Sequence, residues 1–361
     1  MKSRLLTLLT VITLVTAVAI PLQSSTKGKI ITFDVPGAGT DPYQGTFPFA
    51  VNFWGSIAGY YVDSSYVYHS FLRTPNGNIT TFDVPGAIRT FAYGLNFEGV
   101  ITGVYRDPNN VRHGYLRDPD GTITTFDAPG GGTGAFQGTL GQSINDFGVI
   151  LGYVVDANDV AHCFLRARDG TFITFDVPGA GIDAGQGTYG DSFSGLNDFG
   201  VVNGTYFDSS DVAHSYLRAR DGTITPLDVP GAGTSGSSIN NFGAVAGQFT
   251  DSNDVSHGYL RAPNGEVTTF DVKGAGADAG QGTFSSNIND LAAITGQYID
   301  SNNVTHGFVR AANGKITTFD VKDAGTGENQ GTGPVANNLP GAIVGFYADS
   351  NDGYHGFLRL P

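Results

Sequence analysis

The sequence is poor in several residue types, and each shortage narrows its interpretation. There is one cysteine, Cys163, so an internal disulfide is excluded. Charged residues make up only 14% of the chain, and the formal net charge is −14. Duplex nucleic acid and anionic membrane surfaces attract basic proteins, so this composition predicts neither of them as a partner.

Helical periodicity is also missing beyond the N-terminus. The chain consists of short runs rich in Ile, Val, Thr, Phe and Tyr, separated by Gly, Pro, Asn and Asp. Its 53 glycines and 12% aromatic residues favour short strands joined by tight turns. The sequence therefore predicts an all-β protein.

A long apolar run occurs at the N-terminus. Lys2 and Arg4 precede an apolar segment at residues 5–20, and residues 17–19 (Ala-Val-Ala) form a small-x-small cleavage site. This segment is shorter than the ~20 residues that a membrane span needs. We expect a signal peptide at residues 1–19, a linker at 20–28, and a secreted, periplasmic or extracellular protein without a membrane span after cleavage. An uncleaved anchor is the alternative.

An internal repeat accounts for nearly all of the remaining chain. Its most regular positions are an asparagine, a histidine 17 residues later and an aspartate 14 residues after that. The asparagines are Asn52, Asn96, Asn145, Asn197, Asn240, Asn289 and Asn338. The histidines are His69, His113, His162, His214, His257, His306 and His355. The aspartates are Asp83, Asp127, Asp176, Asp228, Asp271 and Asp320, with an equivalent Asp34 ahead of the first copy.

Each copy has the pattern of four short antiparallel strands, which is one blade of a β-propeller. We expect blades at about 35–83, 84–127, 128–176, 177–228, 229–271, 272–320 and 321–361 plus 29–34. Residues 29–34 supply the fourth strand that the last copy lacks. The predicted fold is thus a seven-bladed β-propeller of four-stranded antiparallel blades over residues 29–361, closed by pairing of the N-terminal strand with the C-terminal blade. A β-solenoid is the alternative, but its repeats are shorter.

Counting outward from the turns places an aromatic residue, the repeat histidine and the repeat aspartate in one cross-strand row. Histidine would suit catalysis or metal binding. All seven histidines occupy equivalent rows, however, whereas an enzyme needs a single constellation. We therefore interpret these histidines and their aspartates, including Asp34, as structural bridges between strands. The repeat arginines are predicted to be structural partners of blade carboxylates.

Another repeat aspartate opens the turn between the second and third strands, as in Asp251-Ser252-Asn253-Asp254. The spacing resembles a calcium loop but lacks its glycine at the sixth position and its glutamate at the twelfth. We interpret it as an Asx turn, in which the side chain bonds the local backbone. No metal or other cofactor is predicted, and Ca²⁺ at these turns is the alternative.

All length variation lies in the links that join the fourth strand of one blade to the first strand of the next. Variable loops on a rigid scaffold often bind ligands, and five links share Gln-Gly-Thr beside aromatic residues such as Tyr43 and Phe136. The candidate ligand-binding residues are Gln44, Thr46, Gln137, Thr139, Gln186, Thr188, Gln281, Thr283, Gln330 and Thr332. Amides and hydroxyls beside aromatic rings suit sugars. The alternative is that these side chains bond only the loop itself.

Several motifs carry a family resemblance: Gly103-x-Tyr105-x-Asp107, His257-Gly258-Tyr259-Leu260 and Thr318-Phe319-Asp320. Through them, nearly all of the mature chain resembles the HAF-type extracellular repeat proteins of bacteria. The resemblance implies export and a repeat fold, and it implies no catalytic residues.

These features predict a secreted, non-enzymatic binding or scaffold propeller. Its ligand would be a glycan or a cell-envelope polymer, bound on the face that carries the variable links. The expected partner is an extracellular polysaccharide or an envelope protein, and the expected state is a monomer. Two alternatives stay open. One is an extracellular hydrolase or lyase with symmetry-breaking carboxylates on the same face. The other is a passive protein–protein interaction module.

Overall fold

The computed structural model describes residues 28–190, 194–229 and 233–361. Within these ranges the chain forms 28 β-strands and no helix, so the all-β prediction is confirmed. The same ranges contain no helix long and apolar enough to cross a membrane. The predicted signal peptide at 1–19 and residues 20–27 of the predicted linker lie outside the described residues.

The strands follow the repeat in sets of four, and neighbours within a set are antiparallel. Set 1 is β2 (Gly45–Val51), β3 (Ile57–Val62), β4 (Tyr68–Arg73) and β5 (Ile79–Phe82). Set 2 is β6 (Arg89–Leu95), β7 (Ile101–Arg106), β8 (Arg112–Arg117) and β9 (Ile123–Phe126). Set 3 is β10 (Gly138–Ile144), β11 (Ile150–Val155), β12 (Ala161–Arg166) and β13 (Phe172–Phe175). Set 4 is β14 (Gly187–Gly190), β15 (Val202–Phe207), β16 (Ala213–Arg218) and β17 (Ile224–Pro226).

The C-terminal part of the chain continues the pattern. Set 5 is β18 (Thr234–Ile239), β19 (Val245–Thr250), β20 (Ser256–Arg261) and β21 (Val267–Phe270). Set 6 is β22 (Gly282–Ile288), β23 (Ile294–Ile299), β24 (Thr305–Arg310) and β25 (Ile316–Phe319). Set 7 has β26 (Gly331–Asn337), β27 (Ile343–Ala348) and β28 (Tyr354–Arg359), and its fourth strand is β1 (Ile30–Phe33).

Strand β1 comes from the opposite end of the chain to the rest of set 7. It pairs antiparallel with β28, with Ile30 opposite Arg359 and Phe33 opposite Gly356. Asp34 follows directly and accepts a hydrogen bond from Nδ1 of His355 at 2.9 Å. The two ends of the folded chain are therefore joined by backbone and side-chain hydrogen bonds.

Hydrogen bonding joins the sets into two sheets, of 16 and 12 strands, instead of the separate blades that the repeat predicts. The joins are single-residue parallel pairs between the first strand of one set and the third strand of the set before, as between Gly138 and Arg112. They occur at the five links that carry Gln-Gly-Thr, because these links lead the chain back along the preceding set. The short links before β6 and β18 make no such pair among the described residues, so the sheets separate there.

The repeat asparagines connect every set to the next on one side of the molecule. Each Nδ2 donates to the backbone carbonyl of the following repeat asparagine, and Nδ2 of Asn338 donates to the carbonyl of Asn52 at 2.9 Å. Within its own turn, Oδ1 of Asn145 accepts the N–H groups of Phe147 and Val149. Because the asparagines are buried and these bonds satisfy their side chains, the cycle fixes the sets against one another.

Repeat glycines and arginines determine how closely the strands pack. A Cβ at Gly103 would collide with the backbone of Phe91 and come within 2.9 Å of the Tyr115 ring, so the backbones approach only because glycine is present. Cζ of Arg117 lies 4.7 Å from the ring centroid of Phe82 in the preceding set. The same contact recurs at Arg73, Arg166, Arg218, Arg310 and Arg359. Instead of pairing with carboxylates as predicted, these arginines make cation–π contacts between sets.

Candidate functional site

The molecule has two faces that differ in what they carry. The link face carries the links between sets and the turns between second and third strands, which contact each other, as where Gly39 donates to the carbonyl of Val62. The asparagine face carries the remaining turns and the cycle of repeat asparagines. The variable links predict that the ligand binds on the link face.

The structure places every repeat histidine between two aspartates. Nδ1 lies 2.8–3.2 Å from the strand aspartate, as between His113 and Asp127. Nε2 lies 3.3–4.0 Å from the turn aspartate of the same set. In six sets an aromatic ring stacks on the imidazole, with Val154 as the exception in set 3. The His162 side chain is accordingly the most exposed of the seven.

These carboxylates alter the protonation of the residues around them. The hydrogen bond to Asp34, followed by the other interactions with Asp34 and Asp349, raises the pKa of His355 above its ordinary value. The backbone N–H groups of Val212 and Ser210 hold the pKa of Asp208 below its ordinary value. Both imidazole nitrogens face a carboxylate, an arrangement that ties strands together.

The turn aspartates have the geometry of Asx turns. Oδ1 of Asp251 accepts the N–H groups of Asn253 and Val255 at 2.8 and 3.0 Å, and the other turn aspartates make equivalent bonds. The turn therefore uses this oxygen internally, while Oδ2 faces the histidine. Among the described residues, no group of three or more His, Cys, Asp or Glu side chains is arranged to hold a metal ion.

The candidate glutamines stabilise the links. Each Oε1 accepts a backbone N–H from three residues earlier in its own link. In four of them Nε2 donates to an Asp or Asn side chain in the turn of the same set, as from Gln137 to Asp159 at 2.9 Å. Nε2 of Gln44 is buried without a partner, since Tyr66 occupies the corresponding turn position.

The candidate threonines also form hydrogen bonds within the links. Their Oγ1 atoms accept the N–H of the residue that begins each link, as from Ala128 to Thr139 at 2.9 Å. Thr90 and Thr234 do the same in the two links that lack glutamine. The five candidate threonines are at most 1% exposed. Direct ligand contact by these glutamines and threonines stays a prediction, and the structure assigns their side chains to loop-internal bonding.

A cavity of about 370 Å³ lies in the channel between sets 5, 6, 7 and 1. We call it the funnel. Its walls include the partly exposed rings of Phe49, Phe284 and Phe346, and its polar groups include Gln248 and Gln297. No charged side chain lines it among the described residues. The funnel therefore combines aromatic surfaces with neutral hydrogen-bonding groups.

Several polar side chains of the funnel are oriented by bonds within the fold. Oγ of Ser237 donates to Oε1 of Gln248 at 3.0 Å, which leaves the amide nitrogen as a donor. Oγ of Ser286 donates to the carbonyl of Pro334 at 3.0 Å. Oγ of Ser285 is buried and has no hydrogen-bond partner. A buried hydroxyl of this kind can bond a ligand without losing an existing partner.

The funnel exists because one repeat position is small in two sets. The residue after the link threonine is Phe47 in set 1 and Phe284 in set 6, but Ser235 in set 5 and Gly333 in set 7. On the other side of the channel, Phe47, Tyr60, Phe91 and Tyr93 pack ring against ring. Burial raises the pKa of Tyr60 and of Tyr93.

Sequence reasoning missed the funnel because it searched for what the copies share. A usable signal was the loss of large side chains at Ser235 and Gly333, positions where most copies are bulky. The predicted face was the link face, and the funnel lies among the strands that start there.

No protein-family model matches the sequence, and the comparison with curated proteins gives no match. Among solved structures, the BP39L lectin of Burkholderia pseudomallei is 10% identical, with a TM-score of 0.56 over 89% of this chain and 97% of the lectin. A fungal lectin from Aleuria aurantia, described as a six-bladed β-propeller, is 10% identical with a TM-score of 0.43, over 80% and 96%. AofleA from Arthrobotrys oligospora is 12% identical with a TM-score of 0.46, over 82% and 91%. The first likeness shows a shared fold, and the other two are too distant to support an argument.

Proposed function

We propose that the protein is a seven-bladed β-propeller that binds carbohydrate in the funnel and catalyses no reaction. The sets of four strands would be the blades. The pairing of β1 with β28 and the return of the asparagine hydrogen bonds from Asn338 to Asn52 support a closed ring. Lectins among the proteins of similar structure make sugars the first ligands to test.

The chemistry of the funnel carries this proposal. Sugars offer neutral hydroxyl groups on one side and weakly apolar C–H surfaces on the other. Rings such as Phe284 and Phe346 can pack against the C–H surface, while Gln248 and Gln297 bond hydroxyls. The absence of charged side chains from the described lining favours a neutral ligand over a phosphate or a metal ion.

A hydrolase or lyase is the alternative function. Most glycoside hydrolysis requires a pair of carboxylates beside the scissile bond, and none lines the funnel among the described residues. Three carboxylates that break the repeat symmetry, Asp146, Asp198 and Asp290, lie at the asparagine face, away from the funnel. This separation favours binding over catalysis.

The biological setting is part of the proposal. The predicted signal peptide and the resemblance to HAF-type repeat proteins support a secreted or periplasmic protein. An extracellular polysaccharide is then the partner that fits the funnel, with the protein as a monomer. A passive protein–protein module is the alternative partner class, and it predicts capture of an envelope protein without sugar binding.

Filling and truncating the funnel test the proposal. Gly333→Phe places in set 7 a residue that set 1 has naturally, and a Cβ there comes no closer than 3.1 Å to Oε1 of Gln297. Phe346→Ala removes one wall. We expect both variants to fold and to lose sugar affinity roughly tenfold, about 1.4 kcal/mol. In Gly333→Phe the new ring occupies the space for the sugar, and in Phe346→Ala an aromatic contact is lost.

The measurement is a glycan array followed by titration calorimetry with the best binder. Tyr43→Ala and Phe136→Ala are the matched controls, because both rings are exposed in links outside the funnel. Loss of binding only in these controls would move the sugar to the links. A folded protein that binds no glycan would refute the proposal.

A further inference from the structure

A second cavity, of about 390 Å³, opens on the asparagine face at the centre of the molecule. We call it the mouth. Its rim includes the residue that follows each repeat asparagine, and this position differs from set to set. It is apolar in sets 7, 1 and 2, where Leu339, Phe53 and Phe97 occur. In sets 3 to 6 it is Asp146, Asp198, Asn241 and Asp290.

The polar residues form a continuous arc held by hydrogen bonds between sets. The N–H of Asp146 donates to Oδ1 of Asp198 at 2.9 Å, and the N–H of Asn241 donates to Oδ1 of Asp290 at 2.8 Å. Nδ2 of Asn241 bridges Oδ2 of Asp198 and Oδ2 of Asp290 at 2.8 and 3.1 Å. These bonds fix the carboxylates close together despite their mutual repulsion. Burial, followed by the charges of Asp198 and Asp290, raises the pKa of Asp146.

Phe53 and Phe97 make the opposite part of the rim aromatic, and Trp54 packs beside them. The ring centroids of Phe53, Trp54 and Phe97 lie 4.9–5.8 Å apart, and the three side chains are 42–57% exposed. Exposed clusters of large apolar side chains commonly mark binding surfaces. Aromatic faces also attract cations, most strongly when the ring is tryptophan.

Two unpartnered polar atoms lie deeper in the same channel. Oδ1 of Asn337 has no hydrogen-bond partner although the residue is only 8% exposed, and Asn337 lines the mouth. Oγ of Ser143 is likewise unpartnered, and the residue is 5% exposed in the adjoining part of the channel. A buried acceptor without a donor is costly, so a donor from a ligand would satisfy it. No Lys, Arg or His lines the mouth among the described residues.

We propose that the mouth binds an organic cation, with its ammonium group facing Asp146, Asp198 and Asp290 and its carbon skeleton against Phe53, Trp54 and Phe97. The ammonium group supplies the positive charge and the N–H donors that the arc and Asn337 lack. The rings of Phe53, Trp54 and Phe97 favour an organic cation over a bare metal ion, because a metal ion gains nothing from an apolar surface. This site is separate from the funnel, and its existence does not depend on sugar binding.

Trp54 makes the test direct, because it is the only tryptophan in the chain and its ring packs on Phe53 and Phe97, which line the mouth. We expect its fluorescence to change on titration with cadaverine, a diamine, or with a glucosamine oligomer, an amino sugar. The comparison between these two probes shows whether an alkyl amine or an amino sugar binds more tightly. The N-acetylglucosamine oligomer, which lacks the charge, should leave the fluorescence unchanged.

The triple variant Asp146→Asn, Asp198→Asn, Asp290→Asn removes the charge but keeps acceptor oxygens, as Asn241 does naturally at the same position. We expect it to fold and to bind the amine roughly tenfold more weakly, since each partly screened ion contact is worth little alone. Phe97→Ala should also weaken binding. The control Phe199→Ala removes an exposed ring outside the mouth and should have no effect.

Three results would overturn the proposal. One is a fluorescence that does not respond to either amine. Another is equal amine affinity in the wild-type protein and the triple variant. The third is an identical response to Ca²⁺ alone, which would indicate an inorganic cation site.

Discussion

At the scale of single residues, Tyr66 departs from the repeat at a turn position, and we expect the departure to lower the free energy of unfolding. It has a φ of 60° at a turn position where other sets have Asn or Asp, such as Asn110 and Asp159. These residues tolerate positive φ better than tyrosine does. Their side chains also give the link glutamine an acceptor, whereas Nε2 of Gln44 is buried without one.

We therefore predict that Tyr66→Asn stabilises the protein by about 1 kcal/mol, the net worth of one added hydrogen bond. Chemical denaturation of the single variant measures this gain. In a Gln44→Met background the gain should shrink, because the added amide then has no partner. An unchanged free energy of unfolding in the single variant would contradict the prediction.

The bridge between His355 and Asp34 and the turn aspartates predict how the stability of the fold depends on pH. The pKa of His355 is raised above its ordinary 6.5, so its contribution is present below pH 6.5 and is lost as the pH rises through the raised value. The pKa values of Asp208 and Asp251 are lowered below 3.8, mainly by backbone hydrogen bonds from Val212 and Val255. Their contribution is present above pH 3.8 and is lost as the pH falls.

Stability should thus be highest between about pH 4 and 6.5 and should decline on both sides. Melting temperatures across this range test the expectation. His355→Gln should flatten the decline above pH 6.5 and leave the acid side unchanged. A wild-type protein that is most stable at alkaline pH would contradict the raised pKa of His355.

At the scale of the strand and its link, the parallel pair that is missing before β6 predicts where neighbouring sets separate most easily. The N–H of Arg112 donates to the carbonyl of Gln137 across a long link, and Ala161, Ser256, Thr305 and Tyr354 do the same. Tyr68 starts the equivalent strand before the short link to β6 and makes no parallel pair among the described residues.

We expect the amide of Tyr68 to exchange with solvent faster than those of Arg112 and Ala161, by about tenfold or more if one hydrogen bond of ~1.4 kcal/mol is missing. Hydrogen exchange read by NMR at single residues measures the difference. Neighbouring strand amides, such as those of Leu72 and Leu217, serve as internal controls. Equal exchange rates at all these strand starts would show that sets without a parallel pair are held together as firmly as sets that have one.

At the scale of the whole molecule, the sequence predicts the strands well because they depend on local spacing. Turn aspartates, turn glycines and the constant distance from asparagine to histidine determine four strands within one copy. Residues 29–34 matched the missing strand because the same Thr-Phe-Asp pattern recurs there. All of this information lies within about 45 residues of the chain, the usual length of a propeller repeat.

What lies between sets could not be predicted in the same way. Arg117 meets Phe82 of the preceding set only after the two sets pack, and the funnel forms from four sets that are far apart in sequence. The mouth likewise depends on which residue follows the repeat asparagine in each set. Positions that vary between copies carry this information, whereas repeat analysis is built on the positions that stay the same.

The pairing of β1 with β28 also constrains the order in which the molecule can be made. Residues 30–33 are synthesised long before residues 354–359, so the first strand has no partner until the end of set 7 has been made. A product that stops before residue 354 leaves β1 without its partner strand and leaves set 7 with an exposed sheet edge. Both promote aggregation. We therefore expect truncation before residue 354 to impair folding, even though the preceding sets would be complete.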